Sequence, residues 1–133
     1  MKSDEQLSEE LERLIAGLLF MSEADYPFET LFWKKDIEVT DEYLRLRAGA
    51  RPDAQVKAES VDKFFRAAVS EPDWKSEAQL SIAKRYQSLI AWLKENLHHP
   101  LAYRVGEIDI KVYILGRSAS GNWLGISTRV IET

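Results

Sequence analysis

The sequence predicts an α+β fold, namely a single-domain α/β/α sandwich whose mainly antiparallel sheet is flanked by helices and includes a C-terminal β-hairpin. Two segments have the hydrophobic spacing of amphipathic helices and begin with capping-box residues at Ser3 and Ser76. The last third of the chain instead alternates apolar and polar residues, as a half-buried strand does. No internal repeat or linker divides the 133 residues, so we expect residues 1–133 to form one domain.

The first predicted helix covers residues 3–16. Gln6 follows Ser3 at the capping-box spacing, and Gly17 is a typical helix end. Apolar residues recur behind the cap at helical spacing: Leu7, Leu11, Leu14, Ile15 and Leu18. Residues 18–27 begin apolar and become polar before Pro27, so we expect residues 22–25 to form an exposed loop.

Shorter elements are predicted in the middle of the chain. Residues 28–33 are β-prone, residues 40–49 have the start and stop signals of a short helix, and residues 56–59 suit a brief strand. Ser60 then caps a helix with these residues facing inward: Val61, Phe64, Phe65, Ala68 and Val69. Pro72 breaks the chain before the strongest helix, which begins at Ser76 and is ended by Pro100. Its apolar face consists of Ile82, Tyr86, Leu89, Ile90, Leu93 and Leu97.

A strand and its hairpin partner are predicted in the last third. Four isoleucine or valine residues alternate with polar ones and are expected to face inward: Ile108, Ile110, Val112 and Ile114. Residues 116–122 supply the hairpin loop. Leu124, Ile126 and Val130 continue the inward face on a partner strand that runs to the end of the sequence.

Composition narrows the classes of partner. Eighteen Lys and Arg against 22 Asp and Glu give a net charge of -4, which disfavours direct nucleic-acid binding and favours basic partners. The longest early apolar run, residues 14–21, is too short for a transmembrane helix and follows acidic residues, so we expect neither a membrane span nor a signal peptide. The sequence has no cysteine, and we expect a cytoplasmic protein.

No catalytic motif indicates an enzyme. His98 and His99 are adjacent at a predicted helix end, where the helix dipole explains them better than a metal does. Glu23 and Asp25 stand out because a proline-ended loop beside buried residues can direct them at a partner.

Two further candidates lie elsewhere in the chain. Trp74, beside Asp73, is either a lid on the core or an exposed binding anchor, and both interpretations remain open. Thr133 carries a hydroxyl and an α-carboxylate at the end of a well-specified strand, and Mg²⁺ accepts such oxygen ligands.

Three motifs together resemble the nuclease A inhibitor family. They are GLLFMSEADYPFE at residues 17–29, PDW at residues 72–74, and the final third from YRVGE at residues 103–107 to GISTRVIET at residues 125–133. Members of that family are small acidic proteins that block a secreted, sugar-non-specific DNA/RNA nuclease of the ββα-metal class. The likeness covers the first helix, its loop and nearly everything after Val61.

The resemblance implies a role for each candidate. The Thr133 hydroxyl would reach the catalytic Mg²⁺ of the nuclease, Glu23 would replace the charge of the scissile phosphate, and Asp73 with Trp74 would form a second contact patch. The protein would then be a monomeric inhibitor without a cofactor of its own, with Mg²⁺ supplied by its partner. Arg117 and Trp123 depart from the family pattern.

Two other functions compete with inhibition. One is a non-enzymatic α+β scaffold that binds a small molecule or another protein, with an apolar pocket lined by Trp33, Tyr86 or Trp92. The other is an acid-base hydrolase that uses Glu23 and Asp25, but no nucleophile or positioned base accompanies them.

Overall fold

The computed structural model describes residues 2–69 and 76–133, so the predicted contact residues Asp73 and Trp74 lie outside the described residues. Within them the helices and strands are α1 (Asp4–Ile15), β1 (Leu19–Met21), β2 (Asp25–Pro27), β3 (Glu29–Trp33), α2 (Asp41–Ala48), β4 (Val56–Ser60), α3 (Val61–Phe64), α4 (Arg66–Val69), α5 (Glu77–Asn96), β5 (His98–Val105), β6 (Asp109–Arg117) and β7 (Trp123–Ile131).

One antiparallel sheet organises the fold. Its five strands follow the order β3-β7-β6-β5-β4, and β1 pairs with β2 in a separate two-stranded ribbon. The predicted C-terminal hairpin is confirmed: β6 and β7 pair from Asp109 with Ile131 to Arg117 with Trp123. β7 lies between β3 and β6: it pairs with β6 along its whole length and with β3 from Trp123 to Ser127.

Helices cover both faces of the sheet, which confirms the predicted α+β class. On one face, Val112 and Ile126 join a large core with Leu11 of α1 and Leu93 of α5. On the other face, a smaller core surrounds the fully buried Leu44 of α2. This second core also contains Trp33, Val105, Tyr113 and Leu115.

The helix starts follow the predicted side-chain chemistry. Ser3 with Gln6 and Ser76 with Gln79 both form complete capping boxes. Ser60 caps α3, but the predicted single helix is divided into α3 and α4 at Phe65. Within residues 2–69 and 76–133, no helix has the length and apolarity needed to cross a membrane.

The structure differs from the secondary-structure predictions at two places. The loop predicted over residues 22–25 covers residues 22–24, because Asp25 begins β2, and the hairpin that β1 and β2 form around this loop was not predicted. The long helix ends at Asn96, and the following residues begin β5, a strand that was not predicted. His98 and His99 therefore lie at a strand start and not in a helical turn. The strand could not be recognised in the sequence because proline is unusual inside a strand, and Pro100 lies where the pairing with β6 is irregular.

Two isoleucines expected to face the core are exposed. Ile108 is 60% exposed because it lies before the first residue of β6, in the turn that follows β5. Ile82 is 43% exposed in the early part of α5 and borders a surface groove. The helical and strand periods identified the right elements but not where each element enters the core.

Candidate functional site

Glu23 and Thr133 meet on the surface although 110 positions separate them in the sequence. The Thr133 backbone N–H donates to Glu23 Oε2 at 2.7 Å, and the Thr133 hydroxyl donates to Glu23 Oε1 at 2.5 Å. Both residues are exposed. The structure thus joins two residues that the sequence singled out separately.

Ser22 attaches the turn that carries Glu23 to β7. Its hydroxyl donates to the Ala24 carbonyl at 2.8 Å and accepts from the Ile131 N–H at 3.1 Å. The Glu23 N–H adds a bond of 3.3 Å to the Ile131 carbonyl. The backbone of residues 22–24 is therefore fixed to the strand that leads to Thr133.

The β1–β2 hairpin is in turn anchored to the core. The Phe20 ring stacks on Phe64 at 4.8 Å between centroids, and the Tyr86 hydroxyl of α5 donates to the Leu19 carbonyl at 2.5 Å. Burial raises the pKa of Tyr86; the nearby Arg85 opposes this and the Asp25 charge adds to it. Tyr86 consequently keeps its proton and remains a donor at neutral pH.

A second set of contacts reaches the same end of β7 from β5. Arg104 Nη2 lies 2.5 Å from Glu132 Oε1, and Arg104 Nη1 lies 3.1 Å from Glu59 Oε1. The Glu132 N–H also donates to the Ile108 carbonyl at 2.9 Å. Sequence reasoning assigned no role to Arg104 or Ser22, although both lie in motifs that carry the family resemblance, because their contacts depend on residues distant in the sequence.

The carboxylate of Glu23 has no cationic partner within residues 2–69 and 76–133. Arg104 is shared between Glu59 and Glu132, so it does not neutralise Glu23. A carboxylate that is exposed, oriented by hydrogen bonds and not ion-paired is available to an incoming cation. The Thr133 hydroxyl uses its proton toward Glu23, which leaves its oxygen lone pairs available as well.

The other predicted candidates take different places. Asp25 is exposed on β2, opposite Met21, and no described contact joins it to Glu23 or Thr133. The described residues contain no group of three His, Cys, Asp or Glu that could hold a metal ion.

Arg117 and Trp123, which depart from the family pattern, make structural contacts at the opposite end of β7. The Arg117 guanidinium lies 4.1 Å from the Trp123 ring centroid and donates to the Gly121 carbonyl at 2.7 Å. The Trp123 indole N–H donates to the Ile37 carbonyl at 2.9 Å. Both residues therefore hold the β6–β7 loop against the segment that follows β3.

An apolar groove of about 290 Å³ adjoins the Glu23 turn. It is lined by Leu19, Phe20, Met21, Phe64, Ala67, Ala68, Gln79, Ile82 and Tyr86. Of the three residues expected to line a pocket in the scaffold alternative, Tyr86 lines this groove, whereas Trp33 and Trp92 are buried in the two cores.

The fold and the site define a small α+β domain that presents an oriented carboxylate and hydroxyl on an exposed surface. The family model of nuclease A inhibitor-like proteins matches residues 5–133, which is nearly the whole chain. The chain belongs to this family, which confirms the resemblance seen in the three motifs. Membership implies nuclease inhibition in general and a nuclease as the partner. Comparison with curated proteins gives no match.

Proposed function

We propose that this protein inhibits a Mg²⁺-dependent, sugar-non-specific endonuclease of the ββα-metal class by occupying its active site with the Glu23–Thr133 pair. The Thr133 hydroxyl is directed at the catalytic metal, and Glu23 takes the place of the scissile phosphate. The observation that carries the proposal is the direct hydrogen bonding between the two residues, which presents three oxygens together on the surface.

The donor chemistry suits a hard divalent cation. Mg²⁺ is bound by carboxylate, hydroxyl and water oxygens, and one or two carboxylates per site are usual. One carboxylate and one hydroxyl are too few to retain the ion unaided, so the metal belongs to the nuclease, and the inhibitor has no cofactor of its own. Such a complex supplies oxygens where the substrate phosphate would lie but contains no phosphodiester bond to cleave.

Charge and preorganisation support the same conclusion. A net charge of -4 attracts the basic surface that a nuclease uses to hold a nucleic acid, and it disfavours binding of the nucleic acid itself. The bonds made by Ile131, Glu132 and Thr133 order this segment before binding. An unstructured segment would instead lose roughly 1 to 2 kcal/mol per residue when it became ordered.

The proposal includes two further contact regions for the nuclease. Asp73 and Trp74 form a second contact patch, and Asp25 lies at the edge of the contact made by the Glu23–Thr133 pair. The protein acts as a monomer in the cytoplasm and is not an enzyme. Sedimentation, cell fractionation and a nuclease assay without added nuclease test these three statements.

Titration of the purified protein into a Mg²⁺-dependent non-specific nuclease tests the function. DNA cleavage is expected to fall in proportion to the inhibitor added. Glu23→Gln and Thr133→Val are each expected to weaken inhibition by about 30-fold, the equivalent of roughly 2 kcal/mol. Thr133→Ser keeps the hydroxyl and should retain inhibition.

Glu38→Gln is the matched control, because it removes one exposed carboxylate from the loop after β3. Both site substitutions should leave the melting temperature nearly unchanged, since Glu23 and Thr133 are exposed. Full potency in Glu23→Gln and Thr133→Val would contradict the proposed site, and no inhibition by the unmodified protein would contradict the function.

The apolar groove favours the scaffold alternative, in which a small apolar molecule or a partner side chain occupies it. A titration with small apolar compounds, followed by methyl resonances of Leu19 and Ile82, tests this function. Saturable shifts confined to these groove residues, together with no effect of the protein on any nuclease, would support the scaffold over the inhibitor.

A further inference from the structure

Thr133 is held from two directions, and Glu23 accounts for only one of them. On the other side, Glu132 is bonded to Arg104, whose second nitrogen contacts Glu59. Arg104 belongs to β5 and Glu59 to β4, so this bridge ties the residue before Thr133 to two strands beyond β6.

The bridge is more sheltered than an ordinary surface ion pair. The side chains of Arg104 and Glu59 are 21% and 15% exposed, whereas Glu132 is 56% exposed. Partial burial reduces the screening that makes exposed pairs weak, and a guanidinium can bond two carboxylates with fixed geometry. Arg104 is consequently a stable inner anchor for the exposed Glu132.

Arg104 also contacts the hydrophobic support of the Glu23 turn. Its guanidinium lies 5.7 Å from the Phe64 ring centroid, and Phe64 stacks on Phe20 of β1. One side chain therefore borders both halves of the site: Glu132 connects it to Thr133, and Phe64 connects it to the hairpin that carries Glu23.

We infer that Arg104 is the positioning residue of the Glu23–Thr133 pair: through Glu132 it fixes the backbone of residues 132–133 and so places the Thr133 hydroxyl for the metal of the nuclease. This inference rests on the proposed function and assigns that site a residue which does not itself bind the metal. Without Arg104, Glu59 and Glu132 would be like charges with no shared cation, and the segment after Ile131 would be held only by Glu23 and by the backbone bond from Glu132 to Ile108.

Inhibition constants of Arg104→Gln in two backgrounds test the inference. In the otherwise unchanged protein, Arg104→Gln is expected to weaken inhibition about tenfold, the effect of freeing roughly one residue. In a Thr133→Val background it should add little, because Arg104 acts through Thr133. Equal weakening in both backgrounds would overturn the inference, since it would indicate direct nuclease contact or a general structural defect.

Arg129→Gln is the matched charge control. Arg129 also lies near the end of β7 and is paired with Asp109, but it makes no described contact with Glu132 or Thr133. Arg129→Gln should therefore change the inhibition constant only through the loss of one positive charge, and by less than Arg104→Gln does. Glu132→Gln, at the exposed end of the bridge, provides a second variant if Arg104→Gln folds poorly, and it should also weaken inhibition.

A measurement on the free protein separates this inference from the proposed function. The ¹⁵N-{¹H} nuclear Overhauser effect of the Thr133 amide should fall in Arg104→Gln and Glu132→Gln but not in Arg129→Gln. An unchanged value in the two bridge variants would overturn the positioning role even if the protein inhibits the nuclease. If the nuclear Overhauser effect of the Thr133 amide falls in the two bridge variants but the unmodified protein does not inhibit the nuclease, the positioning of Thr133 is supported and only the proposed function is refuted.

Discussion

Asp4 provides a prediction whose size follows from its contacts. One carboxylate at the start of α1 accepts hydrogen bonds from Ser118, Ser120 and Asn122, at 2.6, 2.7 and 2.8 Å. It thereby joins the first helix to the β6–β7 loop. Asp4→Asn removes the charge and replaces one acceptor oxygen with a donor that faces other donors.

The expected loss of stability at pH 7 is about 2 to 3 kcal/mol. Hydrogen bonds to a charged group contribute roughly 1.5 to 3 kcal/mol each. We take a value near 1 kcal/mol for each, because Asp4 is only partly buried and Ser118 keeps a contact of 2.9 Å with Ser120. Urea denaturation, followed by tryptophan fluorescence, measures the difference in the free energy of unfolding.

The same contacts predict how this difference depends on pH. Burial alone would raise the pKa of Asp4, but the hydrogen bonds from Asn122, Ser118 and Ser120 together lower it below its ordinary value of 3.8. A lowered folded-state pKa means that the contribution is complete above the unfolded value and is lost as the pH falls through the folded-state value. The two proteins should therefore approach equal stability in strong acid.

Glu5→Gln is the control, since Glu5 is an exposed acid in the same first turn and has the same relation to the helix dipole. If Asp4→Asn costs no more than Glu5→Gln at pH 7, the three hydrogen bonds do not stabilise the fold as argued. If the difference in the free energy of unfolding between the unmodified protein and Asp4→Asn stays constant down to pH 2, the stabilisation does not depend on the ionisation of Asp4.

Three other predictions concern the site. Ser22→Ala should destabilise the protein by about 1 to 2 kcal/mol and weaken inhibition, because the Ile131 N–H loses its acceptor; unchanged thermal unfolding and unchanged inhibition would refute this. Trp74→Ala should cost about 2 to 4 kcal/mol of affinity for the nuclease if Trp74 is a binding anchor, as calorimetric titration would measure, while an unchanged affinity would identify it as a non-contact residue. Added salt should slow association more than it speeds dissociation, and stopped-flow rates that do not depend on salt would exclude electrostatic steering by the net charge of -4.

The parts of the fold that could be predicted are those with a local signal. α1 and α5 begin at capping boxes, and β6 shows the period of two over residues 109–112, where exposed and buried residues alternate. The prediction of a half-buried strand is wrong beyond Val112, because Tyr113 and Leu115 on the other face are buried in the second core. β5 gave no such signal for two reasons. Pro100 lies near its start, where the pairing with β6 is also irregular. In addition, the charged residue Arg104 lies on the core side of the strand, next to Phe64. A strand whose inward positions include an ion-paired arginine cannot be recognised from hydrophobic alternation.

The candidate site was only partly predictable for a different reason. The motif resemblance identified Glu23 and Thr133 as separate residues, but their contact depends on the Ser22 bonds to Ile131 and on the pairing of β7 with its neighbours. The contribution of Arg104 depends on the strand order, which places β5 two strands away from β7. Long-range contacts of this kind are set by the tertiary structure and leave no spacing that can be read from the chain.

The position of β7 explains why a strand end can serve as a binding element. An edge strand is paired on one side only, so its last residues separate easily from the sheet. β7 is paired with β6 along its whole length and with β3 from Trp123 to Ser127, Val130 is 2% exposed, and the three residues that follow Val130 are all hydrogen-bonded to residues outside β7. Ile131 is bonded to Ser22, Glu132 to Ile108 and Arg104, and Thr133 to Glu23. Order therefore extends from the core to an exposed hydroxyl, and a partner that binds this hydroxyl need not provide the free energy to create it.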